Sequence, residues 1–146
     1  MFRSTSSTLL LATLLLAAGC QRSVRIPHGP RLLLPTSLHT KVEGDVLRVG
    51  SGDLSNEQCN LTLEARVERS PILALEHRFA PEGATLPLPV SHQDDLWRME
   101  LPPGNTRHVV LARIFGPQTI LLTFCPDDPT QNESELKNIF LHDLEP

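Results

Sequence analysis

Aromatic residues are scarce in this sequence, which has no tyrosine, one tryptophan and five phenylalanines among 146 residues. A carbohydrate-binding face usually needs a platform of several exposed aromatic rings, on which the sugars stack. One tryptophan, Trp97, can hardly supply such a platform, so the composition argues against carbohydrate recognition.

Catalytic and metal-binding motifs are also missing from the sequence. None of the six histidines is spaced like a metal ligand pair such as HxH or HxxxH. Asp94 and Asp95 precede Leu96 as turn residues would, and Ser91-His92 does not lie in a nucleophile elbow. There is no GxGxxG and no P-loop. The sequence therefore predicts a protein that is not an enzyme and that has no metal site and no cofactor.

The only long apolar run covers residues 9–18, about half the length that a bilayer span needs. It follows Arg3 and ends in Ala17-Ala18-Gly19, small residues of the kind that a signal peptidase accepts. Cys20 comes next, so the end of the run resembles the lipobox of bacterial lipoproteins, in which the cysteine is acylated. We predict a lipoprotein signal peptide over residues 1–19 and lipidation at Cys20. In that class Gln21, where other members have aspartate, favours transfer to the outer membrane.

Two further cysteines, Cys59 and Cys125, remain in the predicted mature chain. Export places them in an oxidising compartment, where two such thiols usually pair. A bridge would close a loop of about 65 residues and contribute roughly 4 kcal/mol in the loop-entropy model. We expect a Cys59–Cys125 disulfide; two separate buried thiols are the alternative.

Residues 20–38 are predicted to be a flexible lipidated tether, because three prolines within nine residues preclude a helix. Within it, residues 32–34 can lie against the domain as a terminal strand. Arg22, Arg25 and Arg31 can contact phospholipid headgroups, or they are ordinary solvated charges. The mature chain carries 12 basic and 17 acidic side chains without a basic patch, so no nucleic-acid partner is expected.

Residues 39–146 have the two-residue hydrophobic period of β-strands, with Pro and Gly turns between the strands. The clearest alternation runs from Cys59 to Val67, where Cys59, Leu61, Leu63, Ala65 and Val67 are predicted to point inward. Residues 108–115 and 119–125 form a hairpin candidate. Residues 72–79 are predicted as another strand. Val42, Val46 and Val49 are predicted to lie near one face, with Gly44 as a bulge. Residues 134–141 fit a short helix or a closing strand, and we favour the strand. The fold class is therefore all-β, a single antiparallel β-sandwich of about seven short strands behind the tether.

The segment from Leu86 to Val90, which contains two prolines and lies near Trp97 in the sequence, is the best candidate for an exposed edge. An edge captures a partner peptide by strand addition, with pockets for alternate side chains. The alternative is that Trp97 fills the core. The predicted partner-binding residues are Leu86, Leu88, Val90 and Trp97.

The order of these segments resembles one family of small lipoproteins. The resemblance rests on four motifs: Val42-Glu43-Gly44-Asp45-Val46, the strand 61–67, the Leu-Pro-Leu-Pro-Val segment within 83–90, and the hairpin with Ala112-Arg113-Ile114 in its first strand. They are similar to the β-sandwich lipoproteins that include the YscW/ExsB-type secretin pilots of type III secretion and the YbaY-type lipoproteins.

The resemblance implies a pilotin at the periplasmic face of the outer membrane. It would bind a secretin subunit, travel with the lipoprotein carrier and promote secretin assembly. Two alternatives remain open at this point. One is a docking lipoprotein of another secretion system, such as a type VI system. The other is a periplasmic inhibitor of lysozyme or of a protease, for which Val90-Ser91-His92 is the faint match.

Overall fold

The structure is a computed structural model that describes residues 20–50, 54, 61–80, 89–102 and 106–146. Antiparallel strands form one sheet of three strands and one sheet of seven, accompanied by two short helices. This architecture confirms the predicted all-β sandwich. Within the described residues, no helix is long and apolar enough to cross a membrane.

The strands are β1 (Gln21–Arg25), β2 (Arg31–Pro35), β3 (His39–Glu43), β4 (Val46–Gly50), β5 (Leu61–Arg66), β6 (Ser91–Gln93), β7 (Leu96–Glu100), β8 (Val109–Phe115), β9 (Gln118–Phe124) and β10 (Leu144–Glu145). The helices are α1 (Pro71–Phe79) and α2 (Glu133–His142). The small sheet has the order β1-β2-β10, and the large sheet has the order β3-β4-β5-β9-β8-β7-β6.

The large sheet is covered on both faces. On one face, leucines of β4, β5, β8 and β9 pack against the small sheet and α2, with Phe124 and Phe140 fully buried between the layers. On the other face, Ala74 and Leu75 of α1 pack against Met99 and the alternate residues of β8 and β9. Because β8 and β9 are buried on both faces, they consist almost entirely of apolar residues.

The two strongest strand predictions are confirmed. β8 and β9 form the hairpin, joined by Gly116 and Pro117, and Gly116 has the positive φ of +59° that this turn requires. Leu61 and Leu63 point inward from β5 as predicted. The strand ends at Arg66, however, so Val67 is 85% exposed instead of buried.

The predicted flexible tether is wrong for most of its length, because residues 21–35 form the β1–β2 hairpin. Pro27 and Pro30 lie in and beside its turn, where they remove no sheet hydrogen bond; the Gly29 N–H donates to the Ile26 carbonyl at 2.9 Å. Ile26 and the leucines of β2 are buried in the core, which confirms that residues 32–34 dock as a strand. The folded unit therefore includes β1 and β2 and does not begin at residue 39.

Residues 72–79 are helical and not the predicted strand. Ser70 caps α1, its hydroxyl accepting from the Leu73 N–H at 3.4 Å, and Pro71 occupies the first turn, where a missing N–H costs nothing. Pro71, Ala74 and Leu75 are the buried residues, at the i, i+3, i+4 spacing of a helix.

The C-terminal segment is also a helix, so the closing strand favoured for residues 134–141 is wrong. The Asn132 side chain caps α2 by accepting from the Glu135 N–H at 3.1 Å, and Leu136 and Phe140 are buried at i, i+4 spacing. The short strand β10 follows α2 and completes the small sheet beside β2.

The predicted bulge at Gly44 is instead a two-residue turn. Glu43 pairs with Val46, and Gly44 has a φ of +58°. The turn places Val42 on the same face as Val49, as predicted, but Val46 on the opposite face. Val42 is 58% exposed.

Candidate functional site at a sheet edge

The strand β6 is the last strand of the large sheet at one of its two edges. It pairs on one side with β7, with Ser91 opposite Arg98, His92 opposite Trp97 and Gln93 opposite Leu96. In the described part of the chain no strand pairs with its other side, and all three of its residues are exposed. An edge of this kind offers backbone N–H and C=O groups to an added strand.

Val90 and Trp97, two of the four predicted partner-binding residues, lie together at this edge. Both are half-buried against the cluster beneath α1 that contains Met99. Part of the Trp97 ring therefore packs on the core, and the rest remains accessible; its role in partner binding stays a prediction. Leu86 and Leu88 lie outside the described residues, and their proposed role stays a prediction.

The sequence did not indicate the ring contact that Trp97 makes. The imidazole of His92 stacks on the indole of Trp97, with centroids 4.0 Å apart and an interplanar angle of 6°. The contact follows from the strand register. Because Asp94 and Asp95 form the turn, Gln93 pairs with Leu96, and His92 therefore pairs with Trp97. Counting outward from that acidic pair would have placed His92 opposite Trp97.

The other face of the β6 edge borders a shallow groove of about 120 Å³ between β6, β7 and α2. Leu96 and Leu141 provide its apolar surface, and Arg98 and Lys137 its basic groups. Its lining residues are Ser91, Gln93, Asp94, Leu96, Arg98, Lys137 and Leu141. The edge therefore has the stacked rings on one face and a mixed polar groove on the other.

Arg98 connects this edge to α2. Its Nε donates to Glu133 at 2.6 Å, and its Nη2 to Glu100 at 3.3 Å. The hydrogen bond to Glu133 is the main influence that raises the pKa of Arg98. Glu100 also accepts from Arg107, and this bond is the main reason why the pKa of Glu100 is lowered. The network holds the start of α2 against β7 and keeps the groove wall in place.

The loop between β6 and β7 follows the turn prediction for the acidic pair. Gln93 pairs with Leu96, which leaves Asp94 and Asp95 as the two turn residues. Asp94 has a φ of +54°, a left-handed conformation that aspartate tolerates better than most residues. Within the described residues, no group of three or more His, Cys, Asp or Glu side chains is placed to hold a metal ion.

Cys20 is exposed at the start of β1, and its carbonyl accepts from the Thr36 N–H at 3.0 Å. Cys125 is buried directly after β9, where its N–H donates to the side chain of Gln131 at 2.8 Å. Cys59 lies outside the described residues, two positions before β5, so the disulfide stays a prediction. β5 begins and β9 ends at the same rim of the sheet.

No protein-family model and no curated protein sequence matches this chain.

Proposed function

We propose that the mature chain is an outer-membrane lipoprotein, acylated at Cys20, that acts as a pilotin. It binds an extended segment of a secretin subunit at the β6 edge and carries that subunit to the outer membrane, where the secretin of a type III secretion system assembles. The single observation that carries this proposal is the exposed β6 edge beside the His92–Trp97 stack.

The positions of the anchor and the edge suit a carrier. β1 lies beside β3, since the Arg22 guanidinium donates to the Leu38 carbonyl at 2.8 Å and to the Thr40 hydroxyl at 3.3 Å. β6 is at the far end of the seven-stranded sheet, about 29 Å from β3 at the usual strand spacing. A partner strand added to β6 is therefore well separated from the lipid on Cys20.

The inhibitor alternative receives less support from the geometry. An inhibitor of lysozyme or of a protease plugs an active site with a protruding loop, and Ser91 and His92 were the candidates for it. Both residues lie in β6, and the ring of His92 is stacked on Trp97. A docking lipoprotein of a type VI system would use the same anchor with an inner-membrane partner, and the experiment below separates the two.

The test is to recover the periplasmic partner of the acylated chain from its own membranes. The pilotin proposal expects a secretin; a lysozyme, a protease or only inner-membrane proteins would contradict it. In a second arm, Cys20→Ser should leave partner binding intact while the secretin loses its outer-membrane location. Trp97→Ala in the acylated chain should show the reverse, with normal location of the protein and loss of the partner.

A further inference from the structure

Two arginines face outward from the small sheet at the turn end of the β1–β2 hairpin, whose other end carries Cys20. Arg25 on β1 and Arg31 on β2 are directly opposite each other in the strand register, and both are exposed. Leu32 and Leu34, which alternate with Arg31 on β2, point into the core. The two arginines therefore occupy the outer face of the small sheet, which is turned away from the large sheet.

Neither arginine of this pair takes part in an ion pair within the described part of the chain. Arg25 donates only to the Gly29 carbonyl, at 3.2 Å. Glu145 of β10 is the neighbour of Arg31 in the register, but no ion pair joins the two. Like charges directly opposite each other destabilise a strand pair, so an anion from outside the chain would stabilise this one.

Cys20 continues directly into β1, without an intervening linker. Gln21 already pairs with Pro35, and the Cys20 carbonyl is bonded to Thr36. Once the cysteine carries its acyl chains, the small sheet is held at the membrane surface.

The other surface near Cys20 is acidic. Glu135 lines a crevice together with Pro35 and Leu38, and the carboxylate of Asp128 lies beside it, since it accepts a hydrogen bond from Gln131 of the same crevice. An anionic membrane repels this end of the molecule and attracts the face with Arg25 and Arg31. Of the two surfaces beside the anchor, charge therefore selects the small sheet.

We propose that the outer face of the small sheet, through Arg25 and Arg31, contacts the phosphate groups of anionic phospholipids and so orients the anchored domain. The proposal rests on the acylation of Cys20 given under the proposed function. Each arginine near an anionic surface favours this orientation about fivefold. That is too little to recruit a soluble protein, but it is enough to select one orientation of a domain that is already anchored. Trp97 and α1, on the far face of the large sheet, then point away from the membrane.

The experiment uses the acylated full chain in vesicles of phosphatidylethanolamine with phosphatidylglycerol, and in neutral phosphatidylcholine vesicles. An arginine-specific reagent is applied, and each arginine is quantified by mass spectrometry. Modification of Arg25 and Arg31 should fall several-fold in the anionic vesicles and recover in high salt. Arg69, exposed between β5 and α1, is the internal control and should react equally in both. Equal reactivity of Arg25 and Arg31 in the two membranes would overturn the proposal.

A second measurement uses Trp97, the only tryptophan, as the donor for energy transfer to a headgroup-labelled lipid. Arg25→Gln with Arg31→Gln should increase transfer in anionic vesicles, because the domain then samples orientations that bring Trp97 nearer the membrane. Arg69→Gln with Arg107→Gln removes the same charge from exposed positions outside the small sheet and β3, and should leave transfer unchanged. Equal transfer in the two double variants would contradict the proposal. The mass of the N-terminal peptide shows separately whether Cys20 is acylated. A chain without lipid would contradict the proposed function, but it would not contradict the proposal that Arg25 and Arg31 contact phospholipids.

Discussion

The two edges of the seven-stranded sheet are built differently. β3 has five residues, and Glu43 on it forms ion pairs with Lys41 at 3.2 Å and with Arg48 of β4 at 2.9 Å. β6 has three residues, Ser91 to Gln93, without a charged side chain among them. Charged residues on an edge strand are a common protection against unwanted strand addition. Within the described residues, β3 therefore has a charged protection that β6 lacks, which supports the proposal that β6 receives a partner strand.

The surroundings of the two edges differ in the same direction. Arg22 crosses from β1 to β3, so the small sheet approaches that edge and restricts access to it. At the other edge, Trp97 and His92 present stacked rings beside a strand without a second neighbour in the described residues. Aromatic groups of this kind are typical of the energetically important centre of a binding surface.

The largest effect is expected when β6 is given the charges of β3. Ser91→Glu with Gln93→Lys creates alternating charges on β6, and the carboxylate introduced at position 91 would face Arg98 without repulsion. Partner binding should weaken about a hundredfold, equivalent to roughly 3 kcal/mol, because the charges must be desolvated when a strand is added. The measurement is titration of the acylated protein with the partner recovered in the pulldown.

A matched control is Ser134→Glu with Asn138→Lys, which adds the same charges to exposed positions of α2. It should bind the partner normally and unfold at the same temperature as the charged β6 variant. If the β6 variant also binds normally, the partner uses another surface and the comparison of the edges has no functional meaning.

The next effect concerns the docking of the β1–β2 hairpin on the large sheet. A Cβ added to Gly29 would lie 2.6 Å from the Cβ of Ala65, which cannot move without β5. Gly29→Ala should therefore lower the free energy of unfolding by about 2 kcal/mol. Ala65→Gly, combined with it, should recover part of that loss, since it removes the clashing methyl group. Chemical denaturation of the unaltered chain, the two single variants and the double variant measures the coupling between positions 29 and 65. Additive losses of stability would show that the hairpin does not pack against Ala65.

This contact also explains why the sequence predicted a tether. Pro27 and Pro30 correctly exclude a helix, but a type II turn accepts proline at its second position and a positive φ at its third. His28 adopts that φ at +59°. The approach of Gly29 to Ala65 joins residues 36 positions apart, which local patterns do not indicate. Where the strands are long and the period clear, as in β8 and β9, the sequence was sufficient.

The prediction of strands where α1 and α2 lie was wrong for a different reason, because signals for a helix were present in the sequence. Ser70-Pro71 is a common helix start, but the short continuous apolar run from Ile72 to Leu75 does not by itself distinguish a helix from a strand. The candidate site at the β6 edge was also predicted only in part. Trp97 was identified from its rarity and position, whereas the bond between Arg98 and Glu133 spans 35 residues and depends on how α2 packs.

A smaller effect separates the charges that exclude partners from those that stabilise the fold. Glu68 is only 11% exposed, and it accepts from Arg66 at 3.0 Å and from His77 of α1 at 2.8 Å. Its burial, the largest single influence, raises its pKa, but the hydrogen bonds from Arg66 and His77 prevail and lower that pKa to about 2. The charged form is therefore favoured by folding, so the contribution is complete above pH 4.5 and is lost as the pH falls towards 2.

We expect Glu68→Gln to cost about 1 kcal/mol at pH 7 and to flatten the stability profile between pH 4.5 and 2. The free energy of unfolding is measured across this range. Glu43→Gln, at the exposed β3 edge, is the comparison and should leave the acid dependence almost unchanged. Identical profiles for Glu68→Gln and the unaltered chain would show that another carboxylate governs acid unfolding.

The smallest change in stability is expected at β3 itself. Lys41→Ser with Glu43→Gln gives this edge the uncharged character of β6, and the lost ion pair joins side chains that are 55% and 40% exposed. Exposed pairs contribute little, so the free energy of unfolding should change by less than about 0.5 kcal/mol. Self-association measured by sedimentation should nevertheless increase with concentration, because an unprotected five-residue edge can pair with a second copy. The same substitutions should leave partner binding at β6 unaltered. A variant that stays monomeric at every concentration would mean that Arg22 and β1 protect this edge sterically, and that the charges on β3 are not what distinguishes it from β6.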